Sequence, residues 1–188
     1  NGRRETDHDF GCNPCSEIIL RPYQFCNLSE VVVRENDTID VLKNKVRLAT
    51  ILGTFQSTLT NFKYLRHVWK KNTEEERLLG VSLTGIMDST LTATAGNKLE
   101  TLLEMLRDVS VQTNKEFSTN LQIPQSTAVT CVKPSGTVSQ LTDAASGIHA
   151  RHNPYYIRTV RGDNKDPLTQ FLVSEGIPAE PDVMKPDS

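Results

Sequence analysis

Side chains capable of redox chemistry are concentrated near the start of the chain. Cys12, Cys15 and Cys26 lie close together, and Glu17 follows Cys15 by two residues. A cysteine thiolate is a nucleophile and a metal ligand, and a positioned carboxylate can take a proton from a bound substrate. Residues 11–28 are therefore the first candidate for a site of chemistry.

Two common cysteine sites can be weighed for this segment. Cys12 and Cys15 form a CxxC pair, and a histidine pair at 149 and 152 could complete a structural zinc site. The histidines are closer together than the usual spacing of roughly three to five residues and lie far along the chain, so zinc is the minority interpretation. A thioredoxin-type CxxC follows a buried strand, whereas residues 3–10 are almost all charged or polar, which disfavours that centre as well.

A second polar segment could hold an anion. It runs Lys133, Pro134, Ser135, Gly136, Thr137, Val138, Ser139. Its glycine lets the backbone approach a ligand closely, and its hydroxyl groups can donate hydrogen bonds. If a helix begins nearby, its free N–H groups would favour a phosphate without a fixed cation. Taken alone, such a Pro-Ser-Gly-Thr sequence is more often an ordinary turn.

The composition argues against several classes of protein. The 188 residues carry 21 basic and 23 acidic side chains, and a net charge of -2 gives no overall field that attracts nucleic acid or anionic membranes. No apolar run is long enough to span a bilayer, and the first five residues lack the apolar core of a secretion signal. Four cysteines in such a chain favour reduced thiols. We expect a cytoplasmic protein without direct DNA or membrane binding.

Strands and helices are predicted to alternate along the chain. Three apolar or β-branched runs predict strands: 31–33, 78–87 and 127–132. Residues 156–160 are a further strand candidate. Apolar residues at three- and four-residue steps predict one long helix over 42–69, with Asp37 as its N-cap, and a second helix over 99–117. A short helix starts at Pro167 after an Asp166 cap and ends before Gly176. This alternation predicts an α/β fold with a largely parallel sheet or barrel.

The residue order in both polar segments is similar to that of a known family. Asn13-Pro14-Cys15-Ser16-Glu17-Ile18, followed by Cys26-Asn27-Leu28, resembles the active-site finger loop of ribonucleotide reductases. The segment 133–139 resembles the family's substrate-phosphate loop, and 80–85 and 146–152 also look familial. We name residues 11–28 the cysteine loop and residues 133–139 the phosphate loop. The resemblance implies that residues 1–188, without an internal domain boundary, form part of a ten-stranded α/β barrel into which the cysteine loop is inserted.

The resemblance also implies a role for each polar residue. The family replaces a ribose 2′-hydroxyl by hydrogen through thiyl-radical chemistry, and Cys15 would carry the radical. Glu17 would be the general base on the 3′-hydroxyl, and Asn13 would orient the sugar hydroxyls and Glu17. Cys26 would be one of two thiols that supply electrons and end as a disulfide, reduced in turn by an external thioredoxin-type dithiol. The phosphate would be bound by Pro134, Ser135, Gly136, Thr137, Val138 and Ser139. No metal ligand is expected.

Among the family's branches, the resemblance favours the adenosylcobalamin-dependent one. The close spacing of Cys15 and Cys26, together with residues 146–161, looks like that branch, whose cofactor generates the radical. Glu17 disfavours the glycyl-radical branch. The tyrosines at 155–156 lie too soon after the phosphate loop to be the radical relay of the iron-dependent branch, although an iron-dependent subunit stays open as an alternative.

Parts of such an enzyme are expected outside this sequence. The family's second reducing cysteine and its allosteric specificity site lie upstream, and further barrel strands lie downstream, whereas only about five strands are predicted here. We therefore expect a catalytic piece of a larger or split reductase that acts on a ribonucleoside di- or triphosphate and is inactive without the remaining parts. From another functional class, a zinc-stabilised interaction module built on Cys12, Cys15, His149 and His152 stays open.

Overall fold

The computed structural model describes residues 4–185, so the first three and last three residues of the predicted 1–188 segment lie outside the described residues. Contacts group the chain into two compact units, Asn1–Arg151 and His152–Ser188. The prediction that the chain is one reductase segment without an internal boundary stays a prediction.

Within residues 4–151, three short strands come first, followed by two helices, a fourth strand and further helices. The strands are β1 (Gly11–Cys12), β2 (Ile19–Leu20), β3 (Asn27–Val32) and β4 (Leu79–Thr84). The helices are α1 (Ile39–Gln56), α2 (His67–Glu76), α3 (Thr90–Ala93), α4 (Asn97–Asn120) and α5 (Thr137–Leu141). β1 pairs antiparallel with β2, and β3 pairs in parallel with β4, with Asn27 opposite Leu79 and Val32 opposite Thr84. The predicted mixed α/β class is confirmed.

The β3–β4 pair has one apolar and one polar face, because successive side chains of a strand point to opposite sides. The apolar face packs against α1 and α4 in a core of Val31, Val33, Leu42, Val46, Val81, Leu102 and Leu106. The residues between them in β3 and β4 point the other way: Leu28, Glu30, Val32, Gly80, Ser82 and Thr84. We call this second side the polar face. Helices cover the first face, so the polar face is the one on which a site can be built.

The single long helix predicted over 42–69 is instead two helices, α1 and α2. The break begins at Ser57, whose hydroxyl donates to Thr54 O at 2.7 Å, and Thr58 does the same to Phe55 O at 2.7 Å. Such side-chain bonds to the backbone compete with helix continuation. The apolar spacing continued through this turn, which is why the prediction of one helix was wrong.

The predicted N-cap of α1 was wrong by one residue. Thr38 is the cap, and its Oγ1 accepts a hydrogen bond from Val41 N at 3.3 Å. Asp37 instead forms an ion pair with Lys45, with Oδ2 and Nζ 2.6 Å apart. The aspartate is thus used by a side-chain partner two turns into the helix, and the neighbouring threonine takes the cap.

The predicted strand at 127–132 runs beside β4 without forming a continuous ladder. Leu79 N donates to Ala128 O at 2.9 Å and Val81 N to Val129 O at 2.8 Å. Two residues of β4 therefore match one residue of the neighbouring segment, which is the geometry of a bulge. A single parallel bridge, Val81 with Thr130, follows. The segment still lies along the β4 edge and brings Cys131 and the phosphate loop to the sheet.

The second unit contains the predicted terminal helix, α6 (Pro167–Ser174). Asp166 caps it by accepting from Leu168 N at 2.9 Å, and Gly176 follows its end with φ +87°. The strand predicted at 156–160 was wrong: these residues are not part of a strand, and Ile157 is 98% exposed. Throughout residues 4–185, no helix combines the length and apolar character needed to cross a membrane.

Candidate active site

The tip of the cysteine loop is a tight hairpin that presents Cys15. Ser16 N donates to Asn13 O at 2.9 Å, and Asn13 N donates to Ile18 O at 3.3 Å across the β1–β2 pair. The Asn13 side chain closes the turn as well, because its Oδ1 accepts from Ile18 N at 3.2 Å. Cys15 is exposed at this tip. The Asn13 amide group retains its Nδ2 donors for another partner.

Gly80 on the polar face allows the loop to lie against the sheet. A Cβ at this position would be 2.5 Å from Leu28 Cδ2, 2.9 Å from Cys131 Sγ and 3.0 Å from Ile18 Cδ1. Ile18 is only 2% exposed, so it anchors the hairpin at this spot. No larger side chain fits where these three groups converge. The sequence analysis noted that residues 80–85 resemble the reductase family, but it did not explain why position 80 is a glycine.

Glu17, Cys26 and Cys131 interact electrostatically beside this contact. Burial, followed by the charge of Glu17, raises the pKa of the Cys26 thiol. Burial, followed by Glu17 and Cys26, raises the pKa of Cys131 to about 11. Oε2 of Glu17 is buried and has no hydrogen-bond partner among the described residues. Both thiols are therefore protonated at neutral pH, and one carboxylate oxygen is open to a donor.

The far end of the cysteine loop is fixed to α2 by ion pairs and hydrogen bonds. Arg21 NH2 lies 2.8 Å from Glu75 Oε2, and the Arg21 side chain is 5% exposed. Gln24 Nε2 donates to Glu76 Oε2 at 2.6 Å, and Arg4 Nε donates to Glu76 Oε1 at 2.9 Å. These contacts hold the chain just before Cys26. The sequence analysis missed them, because a glutamate run on a helix has the pattern of a solvated surface.

The phosphate loop ends in the first turn of α5, as the sequence analysis allowed. Its two buried serines bind the loop itself: Ser139 N donates to Ser135 Oγ at 3.1 Å, and Ser139 Oγ donates to Ser135 O at 2.8 Å. Gly136, Thr137 and Val138 are exposed between them. The serines therefore shape the loop, and the exposed backbone N–H groups with the Thr137 hydroxyl are the groups available to an anion.

Residues 145–147 tie the phosphate loop to β4. Thr84 Oγ1 donates to Ala145 O at 3.0 Å and accepts from Gly147 N at 2.9 Å. The Ser146 hydroxyl donates to Ser135 O inside the loop. Gly147 has φ +54°, and a Cβ there would be 3.1 Å from Lys133 O. The resemblance of residues 146–152 to the reductase family thus has a physical basis, because residues in this segment hold the phosphate loop against the sheet.

An ion-pair cluster holds this brace. Asp88 Oδ2 accepts from Ala145 N at 2.7 Å, and Arg151 Nε lies 2.9 Å from Asp88 Oδ1. Arg151 NH1 also lies 2.7 Å from Asp143 Oδ1. Burial opposes ionisation of Asp88, but hydrogen bonds from Arg151 and the Ala145 amide outweigh it and hold the pKa of Asp88 below its ordinary value. The carboxylate is therefore charged at neutral pH and keeps residues 143–151 in place.

The zinc alternative finds no support in the geometry. Among the residues described, no three or more histidine, cysteine, aspartate or glutamate side chains are grouped so that they could hold a metal ion. Cys12 lies instead 3.5 Å from Ser16 Oγ on the exposed hairpin. The interaction-module interpretation is not favoured.

Comparison with known proteins finds similar reductases. No family model matches the chain. The adenosylcobalamin-dependent ribonucleoside-triphosphate reductase of Euglena gracilis is 32% identical over 94% of this chain and 24% of that protein. The enzyme of the same name from Lactobacillus gasseri is 30% identical over 94% of this chain and 27% of that protein. Nearly the whole chain is therefore similar to adenosylcobalamin-dependent enzymes of the ribonucleotide reductase family.

A solved structure shares the fold of this chain. A crystal structure of a B-12 dependent (class II) ribonucleotide reductase matches 92% of this chain and 27% of its own chain, with a TM-score of 0.68 and 24% sequence identity. The chain therefore spans about a quarter of the length of the reductases that it matches. The implied family and its cobalamin-dependent branch are confirmed, whereas the roles of the individual residues stay predictions.

Proposed function

We propose that this chain is a catalytic segment of an adenosylcobalamin-dependent reductase that converts a ribonucleotide to a deoxyribonucleotide by thiyl-radical chemistry. The observation that carries the proposal is the shared polar face. The cysteine loop contacts this face at Gly80, and the phosphate loop is fixed to it through Thr84. A nucleotide held by its phosphate beside α5 would extend its sugar along the same side of the sheet on which Glu17 and Cys26 lie.

The residues of the cysteine loop divide the chemistry between them. The Cys15 thiyl radical takes the hydrogen atom from C3′ of the ribose, which leaves a thiol and a carbon-centred radical. Glu17, whose Oε2 has no partner among the described residues, accepts the 3′-hydroxyl proton. Loss of the 2′-hydroxyl as water requires a proton, and Cys26 holds one at neutral pH because burial and Glu17 raise its pKa.

The reaction balances only with a second thiol. Cys26 and that thiol together give two electrons and two hydrogens, so the products are the deoxyribonucleotide, one water molecule and a disulfide. Cys15 returns its hydrogen to C3′ and becomes a radical again. An external thioredoxin-type dithiol then reduces the disulfide. We assign the second thiol to a cysteine upstream of this segment, in a larger or split reductase that completes a ten-stranded barrel around the cysteine loop.

Adenosylcobalamin, when bound, supplies the radical that oxidises Cys15. Cys15 fits this requirement, because it is exposed at the hairpin tip and accessible to a bulky group. The names of the relatives, which are ribonucleoside-triphosphate reductases, favour a triphosphate over a diphosphate as the substrate. Deoxyribonucleotide supply in the cytoplasm is the role that follows.

The test is deoxycytidine triphosphate formation from CTP by an assembly that contains this chain, with adenosylcobalamin and a dithiol. Cys15→Ser should abolish product formation and leave the dissociation constant for CTP within about twofold, because a hydroxyl does not readily form the radical. Cys12→Ser is the matched control, since Cys12 is an exposed cysteine of the same hairpin, and it should keep turnover. Substantial turnover in Cys15→Ser, or equal loss in Cys12→Ser, would overturn the assignment.

A further inference from the structure

An ion pair with a buried carboxylate lies on the polar face at the start of the phosphate loop. Lys133 Nζ is 3.1 Å from Glu30 Oε2. The Glu30 side chain is 6% exposed, and the Lys133 side chain is 23% exposed. Neither residue has a role in the chemistry proposed above. Removing one partner of a buried pair leaves the other charge without compensation, so such a pair strongly constrains where its members lie.

Lys133 is held at its backbone as well as at its side chain. Its N–H donates to Ser82 Oγ on β4 at 3.0 Å, while its ammonium group reaches Glu30 on β3. Glu30 and Ser82 are register partners across the β3–β4 pair. Lys133 is thus fixed to both strands at the residue where the phosphate loop begins. Pro134, which follows, has no N–H and so cannot donate a backbone hydrogen bond of its own.

The charge of Lys133 is already balanced by Glu30. A lysine beside a phosphate-binding segment is ordinarily expected to attract the phosphate directly. Here its ammonium group points to a carboxylate on the neighbouring strand, and the pair has no net charge. Under the proposed function, the groups left for the phosphate are the N–H groups of the exposed residues Gly136, Thr137 and Val138, whose position depends on where the loop starts.

We propose that Glu30 and Lys133 are a positioning pair that fixes the start of the phosphate loop on the sheet, and that Lys133 is not a ligand of the phosphate. The inference rests on the proposed function for its link to substrate. The structural part of the inference, that Glu30 anchors residues 134–139, does not depend on any enzymatic activity. The two halves therefore need separate measurements.

The first measurement is amide hydrogen exchange over residues 134–141 in the nucleotide-free assembly. Glu30→Gln and Lys133→Met should each raise exchange there about tenfold, and the double variant should be no worse than the worse single variant, because both remove one interaction. Lys133→Arg keeps the charge and should stay within about twofold of the wild type. Exchange in α4, which packs on the opposite face of the sheet from the pair, reports in the same data whether a variant has folded.

The matched control is Asp37→Asn. It breaks the Lys45–Asp37 pair, which has a 2.6 Å separation and an 8% exposed carboxylate, at the start of α1. This variant removes a similar buried interaction but should leave exchange in 134–141 unchanged. Unchanged exchange in Glu30→Gln, or an equal rise in Asp37→Asn, would overturn the positioning role.

The second measurement is CTP turnover, separated into KM and kcat. Positioning predicts that Glu30→Gln and Lys133→Met both raise the KM for CTP about tenfold with a smaller change in kcat, and that Lys133→Arg restores it. Direct phosphate binding by Lys133 predicts the opposite for Glu30→Gln, because removing a competing carboxylate would free the ammonium group and lower KM. That result would overturn the proposal. If the wild type does not turn over CTP, the proposed function fails while the exchange data still decide whether the pair anchors the loop.

Discussion

Gly80 gives the sharpest structural prediction, because its surroundings leave no room for a side chain. In Gly80→Ala the new methyl would be 2.5 Å from Leu28 Cδ2 and 2.9 Å from Cys131 Sγ. Both distances are well inside ordinary van der Waals contact. Leu28 and Ile18 present the ends of flexible side chains, so they can move, but any movement pushes the cysteine loop away from the polar face.

The expected cost follows from overpacking a filled contact. Insertion of a methyl group into such a site costs about 1–3 kcal/mol. In native-state hydrogen exchange this corresponds to about 5- to 150-fold faster exchange of the β4 amides, provided that local opening controls the rate. Gly11→Ala is the matched control, because a Cβ there would meet nothing within 4 Å. It should change exchange by less than about twofold.

A compensating substitution tests the cause. Leu28→Val removes the methyl group that makes the 2.5 Å contact. The double variant with Gly80→Ala should therefore be less destabilised than the sum of the two single variants, as expected for residues in contact. Strict additivity, or wild-type exchange in Gly80→Ala, would refute the convergence of the loop, Cys131 and β3 on this glycine.

Two further predictions concern protonation. Glu17→Gln should lower the pKa of Cys26, because it removes the negative charge that disfavours the thiolate, so alkylation of Cys26 by iodoacetamide at pH 8 should accelerate; an unchanged rate would place Glu17 away from Cys26. Asp88 has a lowered pKa in the folded state, so its contribution is present at neutral pH and is lost only as the pH falls through that lowered value. In the wild type, the protection of residues 143–151 against hydrogen exchange should consequently persist below the ordinary aspartate pKa of about 3.9. In Asp88→Asn, this protection should be reduced at every pH. Equal pH profiles of protection in the two proteins would contradict this role of Asp88.

Apolar patterns and helix start signals in the sequence predicted several helices and strands correctly. β4 and α4 were predicted because each contributes apolar residues to the core, among them Val81 and Leu102, and α6 was predicted because Asp166 and Pro167 are strong local start signals. The helix over 42–69 failed at Ser57, where local hydroxyl bonds decide the outcome and the apolar spacing does not change. The strand at 156–160 failed because its composition suits a sheet, but the second unit offers it no ladder among the described residues.

The candidate site residues were predicted from their order in the sequence, but the long-range contacts that hold their segments in place were not. Asn13, Cys15 and Glu17 were singled out because they occur together at a recognisable spacing. The contacts that hold them are between residues far apart in sequence, such as Gln24 with Glu76 and Lys133 with Glu30. Each of those residues alone has the pattern of solvated surface, and only the fold reveals that its partner is buried beside it.

The most direct test of the central claim is exchange of the 5′-hydrogens of adenosylcobalamin with solvent tritium, measured for the wild type, Cys15→Ser and Cys26→Ser in the complete assembly. If Cys15 carries the radical and Cys26 only supplies electrons, Cys26→Ser should retain exchange while losing multiple-turnover reduction. Cys15→Ser should lose both activities. Exchange that persists in Cys15→Ser, or that disappears equally in both variants, would contradict the assignment of these two cysteines.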